Sequence, residues 1–253
     1  MTKVTLQPAE RLDDLLTHEL KIIQSEEVFS FSMDAVLLAR FPKVPARGRI
    51  LDLCTGNGVI PLLLTTRTGA DIDGVEIQPR LADMAKRSVA FNALTERVHI
   101  IQGDLKSFVP EGSRPYYDLI TVNPPYMPLT AGDIKENEHI AMARHELGCT
   151  LEDVLHTCAR LTRTGGRVAM VHRASRLVDI MSLMRHYRIE PKRIRFVHPK
   201  EGAEANMVLI EGIRDGKPDV RLLPPLIVYN NNNEYCKELM DIYYGEQSEL
   251  GNQ

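Results

Sequence analysis

Residues 119–129 read LITVNPPYMPL, an apolar, β-branched run that breaks into an amide, two prolines and a tyrosine. Proline has no N–H and disfavours helix in the residue before it, so a buried strand is expected to stop near Asn123. Asn123 would bring a side-chain carbonyl to that strand end. Pro124 adds a backbone carbonyl stiffened by Pro125, and Tyr126 adds a flat ring face. Two fixed acceptors beside a stacking surface suit a planar, conjugated NH₂ group with two protons to donate. An amide cannot serve as a general base, so such a site would work by positioning and electrostatics. Taken alone, a Pro-Pro pair is also an ordinary way to end a strand.

A second group lies upstream. LDLCTGNGVIP carries Asp52, Gly56 and Gly58 as D-x-x-x-G-x-G between a strand pattern and a helix pattern. Glycines there let the backbone turn tightly and approach a ligand. A nicotinamide-type G-x-G-x-x-G would want a third small residue at position 61, where Pro61 stands. Glu76, in GVEI, ends the next strand pattern and can accept from ribose hydroxyls; Asp104, in IQGDL, ends the one after and can accept from an adenine amino group. Each acid alone is also a common solvated strand end. Open parallel sheets bind ligands at these carboxyl ends.

The elements that must position these residues alternate. Strand patterns at RILDLC (49–54), DIDGVEI (71–77), RVHIIQGD (97–104), YDLITVN (117–123) and GGRVAMVH (165–172) are separated by helix patterns. The helices are VIPLLLTTRT (59–68), PRLADMAKRSVAFNAL with proline in its first turn, TLEDVLHTCARL with a T-x-x-D cap at Thr150, and ASRLVDIMSLMRHY. RIRFVHP (193–199) and NMVLIEGI (206–213) leave no room for a helix between them, so an antiparallel hairpin at one sheet edge is expected. The alternation implies a mostly parallel sheet with helices on both faces. The polar stretch 127–149 is long for a loop and suggests a lid, a substrate loop or a partly helical segment, and YNNNNEY (229–235) reads as a polar turn or a loose link to the tail.

Bulk properties narrow the class. The 253 residues are 43% hydrophobic and 26% charged, with a net charge of −3, which permits a large core and favours no partner by charge alone. Cys54, Cys149, Cys158 and Cys236 form no C-x-x-C, and the eight histidines show no ligand spacing, so reduced thiols and no metal site are expected. The N-terminus lacks the apolar core of a signal peptide, and no run approaches the ~18 apolar residues of a membrane helix. A cytoplasmic, monomeric protein with no membrane partner is expected.

DLCTGNG, GVEI, GDL and NPPY, in this order and spacing, resemble the class I S-adenosyl-L-methionine-dependent methyltransferases. The resemblance implies a Rossmann-like α/β fold with a mostly parallel seven-stranded sheet and an antiparallel edge strand. It places Asp52, Gly56 and Gly58 around the methionine and sulfonium of the cofactor, Glu76 on ribose, Asp104 on adenine, and Asn123 beside the methyl group. Asn123, Pro124, Pro125 and Tyr126 would then hold the amine in line with the methyl. Cys54 stands where many such enzymes carry glycine. In families with this motif the amine is adenine N6, glutamine N5 or, with Phe for Tyr, guanine N2, and the motif alone does not choose among them.

The flanks choose. VFSFSMDAVLLARF (28–41), ARHELGCTLEDVL (143–155), EANMVLIEG (204–212) and PPLIVYNNNNEYCKELMDIYYGE (224–246) resemble the bacterial tRNA methyltransferases that modify N6 of adenine 37 in a valine tRNA, over nearly the whole chain. In that family the FSFSMD segment covers the cofactor pocket. Only about fifty residues precede Asp52, fewer than the helical domain that glutamine methyltransferases of release factors place there. Residues 160–200 hold eleven Lys and Arg against Asp179 and Glu190, while the tail from 230 holds five acids and one base. A basic zone is the footprint expected for a polyanion. Arg144 and His145, in the loop after NPPY, and Arg173, Arg176, Arg193 and Arg195, in the basic zone, are the candidate RNA contacts, and an unpaired anticodon-loop base is cheap to extrude. The expected layout is a lid segment (1–47), a methyltransferase domain (48–214) and a packed tail (215–253). Protein glutamine-N5 methylation of the release-factor type is the runner-up, and DNA adenine methylation, a silent RNA-binding module and a nicotinamide dehydrogenase are the other rival readings.

Overall fold

A computed structural model describes residues 5–28, 33–110, 116–125 and 149–244. The apolar runs form strands because their β-branched and leucine residues are buried on both faces, as a sheet covered by helices on each side requires. β3 (Arg49–Leu53), β4 (Asp71–Glu76), β5 (Val98–Gln102), β6 (Tyr117–Val122) and β7 (Thr162–Arg173) run parallel in the order β5-β4-β3-β6-β7. Alternate residues feed two cores. Ile50 and Leu119 point to one face, with α1 (Met33–Arg40), α2 (Val59–Leu64) and α3 (Pro79–Phe91). Leu51, Leu53, Ile120 and Val122 point to the other, with α4 (Leu151–Leu161) and α5 (Leu177–His186).

The expected antiparallel hairpin of residues 193–199 and 206–213 forms, but its place in the sheet differs from the expectation. β9 (Met207–Arg214) does not form an edge. It inserts antiparallel between β7 and β8 (Ile189–Lys200), pairing Met170 with Ile210 on one side and Ile194 with Ile210 on the other. β8 therefore runs parallel to β7. Two short strands, β10 (Arg221–Leu222) and β11 (Leu226–Tyr229), then add to β8 in parallel, so among the described residues the sheet has nine strands rather than seven. The buried face of β9 explains its place: Val208, Leu209, Ile210, Glu211 and Gly212 are all covered, as no edge strand would be.

Two further lengths differ. α2 ends at Leu64, not near 68, because the Thr65 and Thr66 hydroxyls donate to the carbonyls of Leu62 (2.7 Å) and Leu63 (2.8 Å) and close its last turn. At the N-terminus, β1 (Glu10–Asp14) and β2 (Lys21–Ser25) make an antiparallel hairpin that packs on α3. Ser88 Oγ accepts from Ile23 N (3.0 Å), and Asn92 brackets the backbone of Lys21. The expected Thr150 cap is present as a reciprocal pair with Asp153. The tail helix α6 (Lys237–Tyr244) lies against α1.

Candidate active site

The turn from β3 into α2 is built from left-handed residues. Cys54 has φ 58°, Gly56 58° and Gly58 88°. The two glycines serve different ends. A Cβ on Gly58 would come 3.1 Å from Ala85 Cβ on α3, so glycine allows the loop to pack there, whereas a Cβ on Gly56 would meet nothing within 4 Å. Gly56 faces open space. Its N–H donates to Glu76 Oε2 (2.8 Å), and Gln78 N donates to Oε1 (2.9 Å). Glu76 is thus locked at the end of β4, with carboxylate lone pairs still free for a ligand. Burial raises its pKa, and the backbone N–H bonds partly offset that rise.

Asp104 follows β5 at the same edge. Its Oδ1 accepts from Lys106 N (2.9 Å), and Oδ2 lies 3.6 Å from Lys106 Nζ. Asn123 leaves β6 beside the β3 loop, since Leu53 and Val122 are register partners. Asn123 Oδ1 is buried and has no hydrogen-bond partner among the described residues. A buried carbonyl oxygen without a donor is costly, and a ligand N–H would relieve it. Pro124 is buried behind it, and Pro125 reaches the surface of the cleft.

These groups converge on one cleft of about 860 Å³, counting the part open to solvent. Gly56, Glu76, Asp104 and Asn123 line it together, as their positions at successive strand ends require. Asp52 and Gly58 stand behind its wall. Asp52 is fully buried, its Oδ1 accepts from Thr121 Oγ1 (2.6 Å), and its Oδ2 has no partner among the described residues. Burial pushes its pKa up to about 7, against the pull of the Thr121 hydroxyl. Sequence reading missed Ala35, Asn57, Gln78, Leu81 and Cys149, which also line the cleft. Asn57 alone carried a signal, as the polar residue between the two loop glycines; it donates to Ile23 O (3.1 Å) and ties the hairpin to the loop.

The basic zone is mostly neutralised within the protein. Among the described residues, at least seven of its eleven cations pair with carboxylates: Arg163 with Asp118, Arg167 and Arg193 with Glu211, Arg176 with Asp179, Arg185 with Glu190, Arg188 with Asp215 and Arg195 with Glu238. Arg193 and Arg195 are only 6% and 5% exposed. Arg193 lies over the Phe41 ring at 4.9 Å, and Arg195 donates to Pro224 O (3.0 Å). Both hold the tail and α1 to the sheet, so the expectation that they meet RNA is corrected. Arg173 ends β7 and Arg176 follows it, at the same edge as Asn123, whereas Arg163 and Arg167 mark the opposite end of that strand. Tyr126, Arg144 and His145 fall outside the described residues, as do Phe29 and Phe31.

Among the described residues, no three His, Cys, Asp or Glu side chains gather as a metal would require, and no helix is long and apolar enough to cross a membrane.

Comparison with known proteins bears on the family and the fold. A family model described as the methyltransferase small domain matches residues 19–179. The tRNA1(Val) (adenine(37)-N6)-methyltransferase of Aeromonas hydrophila is 33% identical over 179 residues, 70% of this chain and 73% of that protein. The protein of the same name from Tolumonas auensis is 28% identical over 239 residues, covering 89% and 94%. Among solved structures, a predicted O-methyltransferase from Agrobacterium tumefaciens superimposes with a TM-score of 0.65 at 21% identity, covering 83% of this chain and 95% of that one. Geranyl diphosphate C-methyltransferase from Streptomyces coelicolor, in complex with S-adenosyl-L-homocysteine, gives 0.53 at 14%, covering 72% and 79%. The solved structures share the fold.

Proposed function

The chain belongs to the methyltransferase small-domain family, and from that premise we propose that it methylates N6 of an adenine in tRNA, position 37 of a valine tRNA being the target named for its relatives. S-adenosyl-L-methionine is the methyl donor; when bound, it supplies an electrophilic methyl group. The residues present fit it: open space at Gly56, a locked carboxylate at Glu76 for ribose, Asp104 for adenine, and the buried carboxylate of Asp52 behind the loop to favour a cation in the cleft.

The observation that carries the substrate reading is the partnerless, buried Asn123 Oδ1 beside the glycine loop, no described residue meeting it. The exocyclic nitrogen of adenine has its lone pair delocalised into the ring. Asn123 Oδ1 and the Pro124 carbonyl would take its two N–H bonds, aligning the nitrogen and drawing the lone pair out of conjugation. Tyr126, next in the chain after Pro125, would offer the stacking face. Neither acceptor can hold a proton, so the proton leaves after transfer, to water. Arg173 and Arg176, at the same sheet edge, would meet backbone phosphate, joined by Arg144 and His145 of the loop after Tyr126. A cytoplasmic monomer suits this reading.

Nucleoside analysis of tRNA from cells with and without the protein tests it. The reading requires N6-methyladenosine to disappear from one tRNA when the protein is absent; an unchanged nucleoside profile would contradict it.

A further inference from the structure

Residues 229–235, YNNNNEY, lie outside the cleft and lead from β11 to α6 through a closed turn. Asn230 wires it. Its Oδ1 accepts from Asn232 N (2.9 Å) and Glu234 N (3.0 Å), its Nδ2 donates to Glu234 Oε2 (3.1 Å), and its backbone N–H donates to Glu234 O (2.9 Å). Asn233 takes the left-handed conformation, φ 63°, that asparagine tolerates. Cys236 N donates to Val228 O (2.9 Å) and closes the base of the turn. The product is an aromatic stack. Tyr229 and Tyr235 bridge across the turn with ring centroids 5.1 Å apart and planes 24° from parallel. Tyr229 packs on the core, whereas Tyr235 is 48% exposed. With its inner face on Tyr229, Tyr235 turns its outer face to solvent.

Register places this stack on the edge that carries the cleft. Met170 of β7 is level with Val122, the last residue of β6. β7 runs three residues further to Arg173, which is level, through Met207, with Val197 of β8. β8 runs three further to Lys200, the partner of Tyr229. At about 3.3 Å per residue, the stack stands roughly 20 Å further out than Val122, and the strand steps from β6 through β7, β9 and β8 to β11 set it roughly 20 Å to the side. The sheet edge therefore climbs from the Asn123 cleft to the tyrosines, with Arg173 and the exposed Lys200 on the way.

A nucleic acid with one base sunk in the cleft has its other nucleotides above that edge, at the height of the stack. Single strands are held by aromatic faces under their bases and by cations along their backbone. Burial accounts for Tyr229 and leaves the outer face of Tyr235 unused. Charge alone does not make the site, since the exposed acids Glu201 and Glu234 adjoin Lys200 and Tyr235 in the chain. The flat face makes it. We propose that Tyr235 is a stacking platform for a second unpaired base of the RNA whose adenine enters the cleft, with Tyr229 holding the ring flat from beneath. This rests on the RNA reading given above. The stack is made equally in the bound substrate and during transfer, so it acts on RNA affinity and not on the rate of the bound complex.

The test compares the full-length protein with two variants: Tyr235→Leu, which keeps an apolar side chain without a flat face, and Tyr235→Phe, which keeps the face. Filter binding of an unmodified valine tRNA transcript, KM and kcat for labelled methyl transfer to it, S-adenosyl-L-homocysteine affinity and thermal unfolding are measured on each. Tyr235→Leu should raise the Kd and KM for tRNA about tenfold, with kcat and S-adenosyl-L-homocysteine affinity within about twofold and the melting temperature unchanged. Tyr235→Phe should match the unsubstituted protein in all of these. Unchanged tRNA affinity in Tyr235→Leu would overturn the platform, and so would an equal loss in Tyr235→Phe, which would assign the contact to the hydroxyl. A lower melting temperature with a matching loss of S-adenosyl-L-homocysteine affinity would make Tyr235 a fastener of the tail and overturn it as well. If Tyr235→Leu weakens tRNA binding while even the unsubstituted protein forms no N6-methyladenosine, the methylation reading fails and the platform stands. If the unsubstituted protein does not bind the tRNA, the RNA reading fails and takes the platform with it.

Discussion

At the scale of the residue, Asn123 and Asp52 divide the work of the site. On the proposed function Asn123 would meet the substrate amine rather than the cofactor's binding groups. Asn123→Ala should therefore lower kcat about 10²–10³-fold while leaving the cofactor Kd within about twofold; equal losses in both would assign Asn123 to cofactor binding. Asp52 would act through its charge. Its pKa is near 7 when folded and at the ordinary carboxylate value when unfolded. The folded chain keeps a proton that the unfolded chain has released, so this group's contribution to stability is present below the unfolded value and is lost as pH rises toward 7. A cation in the cleft reverses the preference, because it favours the charged carboxylate. Cofactor binding should release a proton, and affinity should rise between about pH 6 and 8. Calorimetry in buffers of different ionisation enthalpy reads that proton, and Asp52→Asn should remove it. A pH-independent affinity in the unsubstituted protein would contradict the role.

At the scale of the element, the β3–α2 turn makes the two loop glycines separable. Gly58→Ala forces a left-handed alanine against Ala85, and should cost about 1–3 kcal/mol of stability. Gly56→Ala carries the conformational cost without a clash. It should stay folded, yet lose about tenfold or more in cofactor affinity, or about 1.4 kcal/mol, because its methyl enters the ligand's space. Thermal unfolding and cofactor titration together distinguish the two. Much of this scale was legible in the sequence. The apolar runs ending at Leu53, Glu76, Gln102 and Val122 are the central strands, and Thr150 with Asp153 announced α4. The rest was written in long-range pairing. That β9 would insert between β7 and β8 depends on which residues Met170 and Ile194 meet, and no local pattern states that. β1, β2 and β10 are too short or too polar to read as strands by themselves, and β11 is apolar but only four residues long. The cleft lining by Cys149 joins two segments distant in sequence, and neither signals the other.

At the scale of the whole molecule, local charge proved a poor guide to surface potential. The excess of cations in residues 160–200 is met by acids from elsewhere in the chain: Asp118, Glu211, Asp215 and Glu238. Arg193 and Arg195 are hydrogen-bonded fasteners in the interior. What remains for a polyanion depends on which edge of the sheet each arginine occupies. Arg173 and Arg176 share the edge of Asn123; Arg185 and Arg188 lie at the other. Replacing Arg173 and Arg176 with alanine should weaken tRNA binding and flatten its salt dependence by about one unit of slope for each phosphate no longer neutralised. The Arg185 and Arg188 pair of substitutions should leave that slope unchanged. Equal effects from both pairs would mean that the RNA does not approach along the carboxyl edge.

On the proposed function, the clamp at Asn123 holds the N6 amine of a tRNA adenine. Purified protein should be incubated with methyl-labelled S-adenosyl-L-methionine and unmodified total tRNA, in parallel with a protein extract, and the products hydrolysed and separated. Label should appear in N6-methyladenosine and be absent with Asn123→Ala. Label in methylglutamine, with none in N6-methyladenosine, would contradict it.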